Sequence, residues 1–260
     1  MLKLETLVDL HCHILPEIDD GSKNLDESLE LAKAAVKDGV THILATPHHL
    51  DNKYVNHKVD VEHAVKKFQN ELNIRNIPLT IFPSQEIHIN GDLIENYDDL
   101  LGVDMDKKYV LIEFPHYGVP VYAERILFEL QKLGTTPIIV HPERNKAIQG
   151  NMDILYKFIR QGALAQLTAT SYVGGFGKNV AEISRKLLDH NLVQIVASDA
   201  HALTGRNFVL KEALLKLEQD YGSNKALEFE KNAERLVNGE IVKAQGYSMV
   251  PKRKKFFFFF

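Results

Sequence analysis

The feature that most restricts the fold of this 260-residue chain is an alternation of two hydrophobic periods. Seven short apolar runs rich in β-branched residues, at 6–10, 41–45, 79–82, 109–113, 136–140, 163–167 and 194–197, are separated by longer segments of helical period. Such alternation marks βα units with parallel strands, because a parallel pair needs a long crossover and a helix supplies it. Helical patterns fall at 26–37, 57–73, 121–133, 152–161, 180–190 and 208–221, none with an internal proline. In the first of them Leu29, Ala32 and Val36 share a face, Asn24 or Asp26 stands where a cap belongs, and Gly39 follows the end.

No linker rich in proline, glycine or serine and no repeated block divides the chain, so a single α/β domain is expected over 1–246, with a tail at 247–260. Seven strands favour a closed barrel. An open doubly wound sheet, the alternative, would ordinarily carry a glycine-rich phosphate loop after its first strand, and here that place is held by His11-Cys12-His13. In barrels the chemistry collects at the carboxyl ends of the strands, so the residues just after each run are the ones to read.

Composition closes off several other classes. With 45% apolar and 25% charged residues the chain can build an ordinary core. The single cysteine, Cys12, excludes an intrachain disulfide or a thiolate metal cluster, and a cytoplasmic protein is expected. No run of 18 apolar residues offers a membrane span. Of the net charge, Lys252, Arg253, Lys254 and Lys255 contribute four positive units, so the −4 of the whole chain becomes −8 without them. A body that acidic does not suit a nucleic-acid partner, which is held by clustered cations.

At the strand ends stand His11, His13, His48, Glu86, Glu113, His141, Asp199 and His201, with Asp20 after the first strand. Side chains alternate along a strand, so His11 and His13 share a face, Cys12 takes the other and packs away from any ligand, and Asp199 with His201 share a face if the strand runs that far. Five histidines and four carboxylates at strand ends are too many for separately satisfied structural groups. Nine nitrogen and oxygen donors exceed one ion's needs and imply two or three divalent ions. A donor set without sulfur suits Mn, Fe or Zn. Three such ions would outweigh four carboxylates and leave a site that attracts an anion, which a phosphate ester satisfies; clustered ions also activate water and stabilise phosphoryl oxygens.

Arg144, in His141-Pro-Glu-Arg144, and Arg206, five residues after His201, are candidate clamps for that phosphate. His49, His88 and His116 adjoin donors and are candidate supporting or substrate contacts, and Asp19 can exchange roles with Asp20. His57 and His63 read as solvated residues of a helix, His42 as preceding a strand and His190 as a helix end. Residues 172–178 carry three glycines around Phe176 and read as a long turn or a rim lid.

The segments Asp9-Leu-His11-Cys-His13-Ile-Leu-Pro-Glu-Ile-Asp-Asp20-Gly-Ser, Ala45-Thr-Pro-His48, Glu86-Ile, Leu111-Ile-Glu113-Phe, His141-Pro-Glu-Arg144 and Ser198-Asp199-Ala-His201 together resemble the polymerase-and-histidinol-phosphatase family. Within it they resemble the bacterial manganese-dependent protein-tyrosine-phosphatases that accompany tyrosine autokinases of capsule and exopolysaccharide synthesis. The resemblance runs from about Val8 to Arg206 and implies a distorted, TIM-like (βα)7 barrel. It implies three metals: one on His11, His13 and Asp199, bridged by Glu86; a second on Asp20, His48 and His201; a third on Glu113 and His141. Arg144 and Arg206 match the family's phosphate-binding arginines. The implied activity is hydrolysis of phosphotyrosine in a protein, with Cys12 uninvolved. Histidinol phosphate or another small phosphoester is the alternative substrate, and a non-catalytic, metal-stabilised kinase partner the alternative role. Amidohydrolases also open on His-x-His, but they usually need a bridging lysine where this chain has Glu86. The tail departs from the family, and its four cations and five phenylalanines suit the surface of an anionic membrane.

Overall fold

The computed structural model describes residues 6–251, so the run from Lys252 to Phe260 lies outside the described residues. Strand β1 (Leu7–Cys12) pairs with β2 (Val40–Ala45), which pairs with β4 (Thr80–Pro83), all parallel. A second parallel sheet runs β3 (His48–His49), β5 (Glu86–His88), β6 (Tyr109–Glu113), β7 (Thr136–Val140), β8 (Leu164–Thr168) and β9 (Ile195–Ala197).

The two sheets are one barrel. Strands β2 and β3 form a single stave broken at Thr46 and Pro47, where Pro47 has no N–H to give to the ladder. Strands β4 and β5 form another, broken at Ser84 and Gln85, and the Gln85 side chain donates to Asn56 O (2.7 Å) and accepts from Leu101 N (2.7 Å). Backbone bonds carry the pairing across both breaks: Thr46 N donates to Cys12 O (2.9 Å), Ser84 N to Ala45 O (2.9 Å) and Glu86 N to Pro47 O (3.1 Å). The seam between β9 and β1 is closed by Asp199 N to His11 O (2.9 Å), His13 N to Ala200 O (2.9 Å) and a bridge of Cys12 with Ala200. Counted as staves, the strands are the seven apolar runs, in a distorted (βα)7 barrel.

The runs form strands because their alternate residues have two apolar destinations. Val8, Leu10, Leu44, Leu111, Ile138, Leu164 and Ile195 fill the barrel interior. Their neighbours Ile43, Ile81, Val110, Ile112, Ile139, Ala165 and Val196 meet the helices outside. In β1 the register shifts between Asp9 and Cys12. Leu10 therefore faces in and Cys12 out, two residues apart, and both His11 and His13 turn into the barrel mouth.

Around the barrel lie α1 (Leu25–Asp38), α2 (Lys58–Ile74), α3 (Ala123–Lys132), α4 (Lys146–Gly150), α5 (Asp153–Arg160), α6 (Ala169–Val173), α7 (Lys178–Asp189) and α8 (Leu210–Tyr221). The cap of α1 is Asn24, whose side chain accepts from Glu27 N, and Gly39 ends the helix at φ 98°. Sequence reading ends its helices at residue 221. The chain adds α9 (Ser223–Val237) after Gly222, whose φ of 87° turns it back. Ala233 and Leu236 of α9, with Val242, join the interior cluster and floor the barrel at the strands' amino ends. Beyond α9 the chain crosses beneath: Tyr109 Oη donates to Glu240 O (2.9 Å), and Ser248 N to His190 O (3.0 Å). Tyr247 and Val250 pack on the core, so residues up to 251 lie against the barrel.

Candidate metal centre

The nine residues expected as donors, eight at strand ends and Asp20 after the first strand, converge at the carboxyl end of the barrel. Three overlapping groups have ligand atoms within 4.8 Å of one another: His13, Asp20, His48 and His201; His11, His13 and Glu86; and His48, Glu86 and Glu113. Glu86, at the start of β5, is the hub. Its Oε2 lies 3.3 Å from His11 Nε2, 3.2 Å from His13 Nε2 and 3.1 Å from His48 Nδ1, and its Oε1 lies 2.6 Å from His141 Nε2. Asp199 Oδ1 stands 3.6 Å from His11 Nε2 and 3.7 Å from His13 Nε2. Asp20 Oδ1 reaches His48 Nε2 (3.2 Å) and His201 Nε2 (3.3 Å).

Backbone geometry brings two donors in by an unforeseen route. Asp199 and His201 converge, but β9 ends at Ala197 and no strand alternation carries them. Asp199 instead sits in the left-handed region at φ 53°, as does His141 at φ 37° after β7. Each such residue costs on the order of 1–3 kcal/mol, held by the structure around it. The turn that presents Asp20 depends on Gly21, whose added Cβ would lie 2.1 Å from His13 O.

Electrostatics explain why so many charges can be buried together. Burial alone would lift the Glu86 carboxyl, but His11 and His48 hold it well below the usual carboxylate range. Asp199 is treated the same way, with burial opposed by Arg144, His11 and Arg206. His201 and His48 hold Asp20 low as well. Burial disfavours a charged His13, yet Asp19 and Glu86 raise its pKa to about 10; His48, likewise buried, is raised to about 9, chiefly by Glu86 and Asp20. His201 goes the other way, to about 4, through burial and the neighbouring His13.

The residues fit metal ions. Glu86 and Asp199 stay ionised while buried, Glu86 through neighbouring His11 and His48 and Asp199 through Arg144, His11 and Arg206. A divalent ion supplies that positive charge to the same oxygens and takes the imidazole lone pairs. His48 Nδ1 and His201 Nε2 are buried close to carboxylate oxygens, 3.1 Å from Glu86 and 3.3 Å from Asp20, yet neither is aligned for a hydrogen bond, which suits lone pairs turned to a shared centre.

The supporting contacts were less visible in sequence. Asp19 Oδ2 accepts from His13 Nδ1 (2.7 Å), and Asp19 Oδ1 from Gly21 N (2.9 Å), so Asp19 orients a donor where Asp20 stands among donors. Gln166 Nε2 lies 3.0 Å from His11 Nδ1, and Asp9 accepts from Ser198 N (2.9 Å) and its hydroxyl. The available signal was a lone polar residue inside each apolar run. Glu143, fully buried, accepts from the Ser171 hydroxyl (2.6 Å) and Thr168 N (3.3 Å), tying the Arg144 loop to α6. His88 touches Glu113 (3.2 Å) and His116 lines the mouth, whereas His49 faces away toward Asp99.

Arg144 donates to Asp199 Oδ2, and Arg206 donates to Asp199 Oδ1 at 3.1 Å. The Nε of each is buried without a partner. Both line a cavity of about 170 Å³ together with Asp20, His48, Glu113, His116 and His141. A mouth with two guanidinium groups above a polar, donor-rich floor suits a small polyanionic group.

Fold and donor set together define the class: an α/β barrel of the metal-dependent hydrolase type. More particularly, the chain belongs to the family described as capsular polysaccharide synthesis, CpsB/CapC, which matches residues 7–238. It is 42% identical over 255 residues to the tyrosine-protein phosphatase YwqE of Bacillus subtilis, covering 97% of this chain and 100% of that one. With CapC of Staphylococcus aureus it shares 40% over 255 residues, covering 96% and 99%. A solved structure from a study of YwqE of Bacillus subtilis and CpsB of Streptococcus pneumoniae, described there as unique metal-dependent tyrosine phosphatases, superposes with a TM-score of 0.91 at 41% identity, covering 95% of this chain and 100% of the other.

Proposed function

We propose that this chain is a metal-dependent protein-tyrosine-phosphatase whose nine donors hold up to three divalent ions, manganese foremost. The observation that carries the reading is the convergence of three overlapping donor groups beneath two arginines at one small mouth. His11, His13, Glu86 and Asp199 are assigned to one ion, Asp20, His48 and His201 to a second, and Glu113 with His141 to a third. His13 and His48 each belong to two of the overlapping donor groups and would hold ions from positions between them.

When bound, the ions supply Lewis acidity that activates water and draws charge from the phosphoryl oxygens. The protein does the rest. Arg144 and Arg206 have more N–H groups than Asp199 uses, and turn them to the equatorial oxygens, fixing phosphorus over the floor. Asp19 and Gln166 hold the rings of His13 and His11. The leaving phenol has a pKa of about 10, so a proton from solvent at the open mouth suffices. Cys12 is walled off: burial pushes its thiol well up, and Sγ lies 3.5 Å from Ala200 O.

The physiological substrate in this reading is a tyrosine autokinase of capsule or exopolysaccharide synthesis; the family description supports the link to capsular polysaccharide synthesis. A phosphotyrosyl-peptide assay with metal analysis tests the activity. Exhaustive chelation should abolish turnover and Mn should restore it; turnover that survives with no metal left would end the proposal. The run 252–260 is proposed to touch an anionic membrane, each basic residue adding about 1 kcal/mol. Co-sedimentation with anionic vesicles should be lost in a chain ending at Val250, and equal binding would refute the contact. Among the described residues no helix is long and apolar enough to cross a membrane.

A further inference from the structure

The mouth is too small for what the proposed function asks it to hold. Ligand pockets generally run from about 300 to 1,000 Å³, and this cavity is about 170 Å³. It accommodates a phosphoryl group, so the ring of a phosphotyrosine must lie outside it, across the rim. Two aromatic side chains are attached to residues of that rim. The Phe176 ring centre lies 5.6 Å from the Arg144 guanidinium carbon. The Tyr54 ring stacks on His48, with centres 6.0 Å apart and planes 13° from parallel.

The segment bearing Phe176 is shaped for that placement. Gly174 ends α6 at φ 97° and Gly177 starts α7 at φ 89°, a region that side chains disfavour. A Cβ on Gly175 would lie 2.6 Å from Thr170 Cγ2. Gly175 N donates to Thr170 O (2.8 Å) and Gly177 N to Gly174 O (3.0 Å), closing a tight turn with a half-buried phenyl at its tip. A phenyl held against a guanidinium leaves its edge and outer face to a second ring, the arrangement aromatic pairs favour.

We infer that Phe176, on the Arg144 side of the rim, is the specificity-determining wall that takes the aryl ring of the substrate, with Tyr54 on the His48 side, so that aryl phosphates are favoured over alkyl ones. This rests on the proposed phosphatase reading, and the two can fail separately. Failure of the manganese-loaded wild-type enzyme to hydrolyse a phosphotyrosyl peptide would remove the parent reading. The inference itself is tested by titrating the manganese-loaded protein calorimetrically with phenylphosphonate and with methylphosphonate, which share a charged head and differ in the ring. Wild type should prefer phenylphosphonate. Phe176→Ala should cut that preference about tenfold, as expected for a lost aromatic contact, and Phe176→Tyr should keep it. If wild type binds both alike, or if Phe176→Ala weakens both equally, Phe176 merely positions Arg144 and the inference is overturned.

Discussion

At the scale of single residues, Glu86 decides most. One carboxylate stands within 3.3 Å of His11, His13, His48 and His141, so its loss breaks two of the three donor groups and removes a contact of His13 and His48 in the third. Glu86→Gln should lower bound metal and reduce kcat/KM by at least about 100-fold, read by elemental analysis and a phosphopeptide assay. A pH effect follows from His13 and His48, whose pKa values in the metal-free protein are raised to about 10 and about 9. Both are protonated at pH 7, and ligation must expel those protons, so metal affinity should climb from pH 7 to about 9. The sign reverses for the metal-free fold: a raised imidazole pKa stabilises fully below its unfolded value, about 6.5, and that contribution is lost as pH rises through the folded values. Calorimetry in buffers of different ionisation enthalpy counts the protons released. Cys12→Ser should keep turnover within a few fold. The donors were legible because they end apolar runs; Asp9, Gln166 and Glu143 were not, since a buried orienting group differs from a packing residue only by a partner distant in sequence.

At the scale of elements, the turn at residues 19–21 and the left-handed corners after β7 and β9 place the donors. Gly21→Ala would force Cβ against His13 O and should cost about 1–3 kcal/mol, with a drop in bound metal that a matched surface substitution such as Lys33→Ala does not show. Equilibrium denaturation of the metal-free form reads the first effect. All seven strands were visible as β-branched runs, and six of the longer helices as period-3.6 segments. What the runs could not reveal is where a stave breaks: β3 and β5 are two and three residues long, shorter than any periodicity resolves. The corner at Asp199 was equally hidden, because a positive φ at aspartate leaves no trace in composition. Helix α9 differs, for Ala226, Phe229, Ala233 and Leu236 carry the spacing of a buried face.

At the scale of the whole molecule, that last helix and the metal centre occupy opposite ends of one interior. Leu236→Ala should open a cavity on the barrel floor and cost about 2–5 kcal/mol. Its effect on kcat should be small, since the floor lies at the far end from the mouth. Metal should stabilise the whole fold. One ion at 100 times its dissociation constant adds about 2.7 kcal/mol, or about 5–10 °C in melting temperature, by scanning calorimetry with and without Mn.

The seam where β9 meets β1 is held by few backbone bonds, and the side chains on its two lips are His11 and His13 on one, Asp199 and His201 on the other. Ions gripping both lips would rivet the cylinder shut along its weakest join. Stripping the enzyme would then unzip it locally before it melts. Amide exchange at His13 and Asp199 should quicken first, while the far wall around Ile112 and Ile139 stays protected.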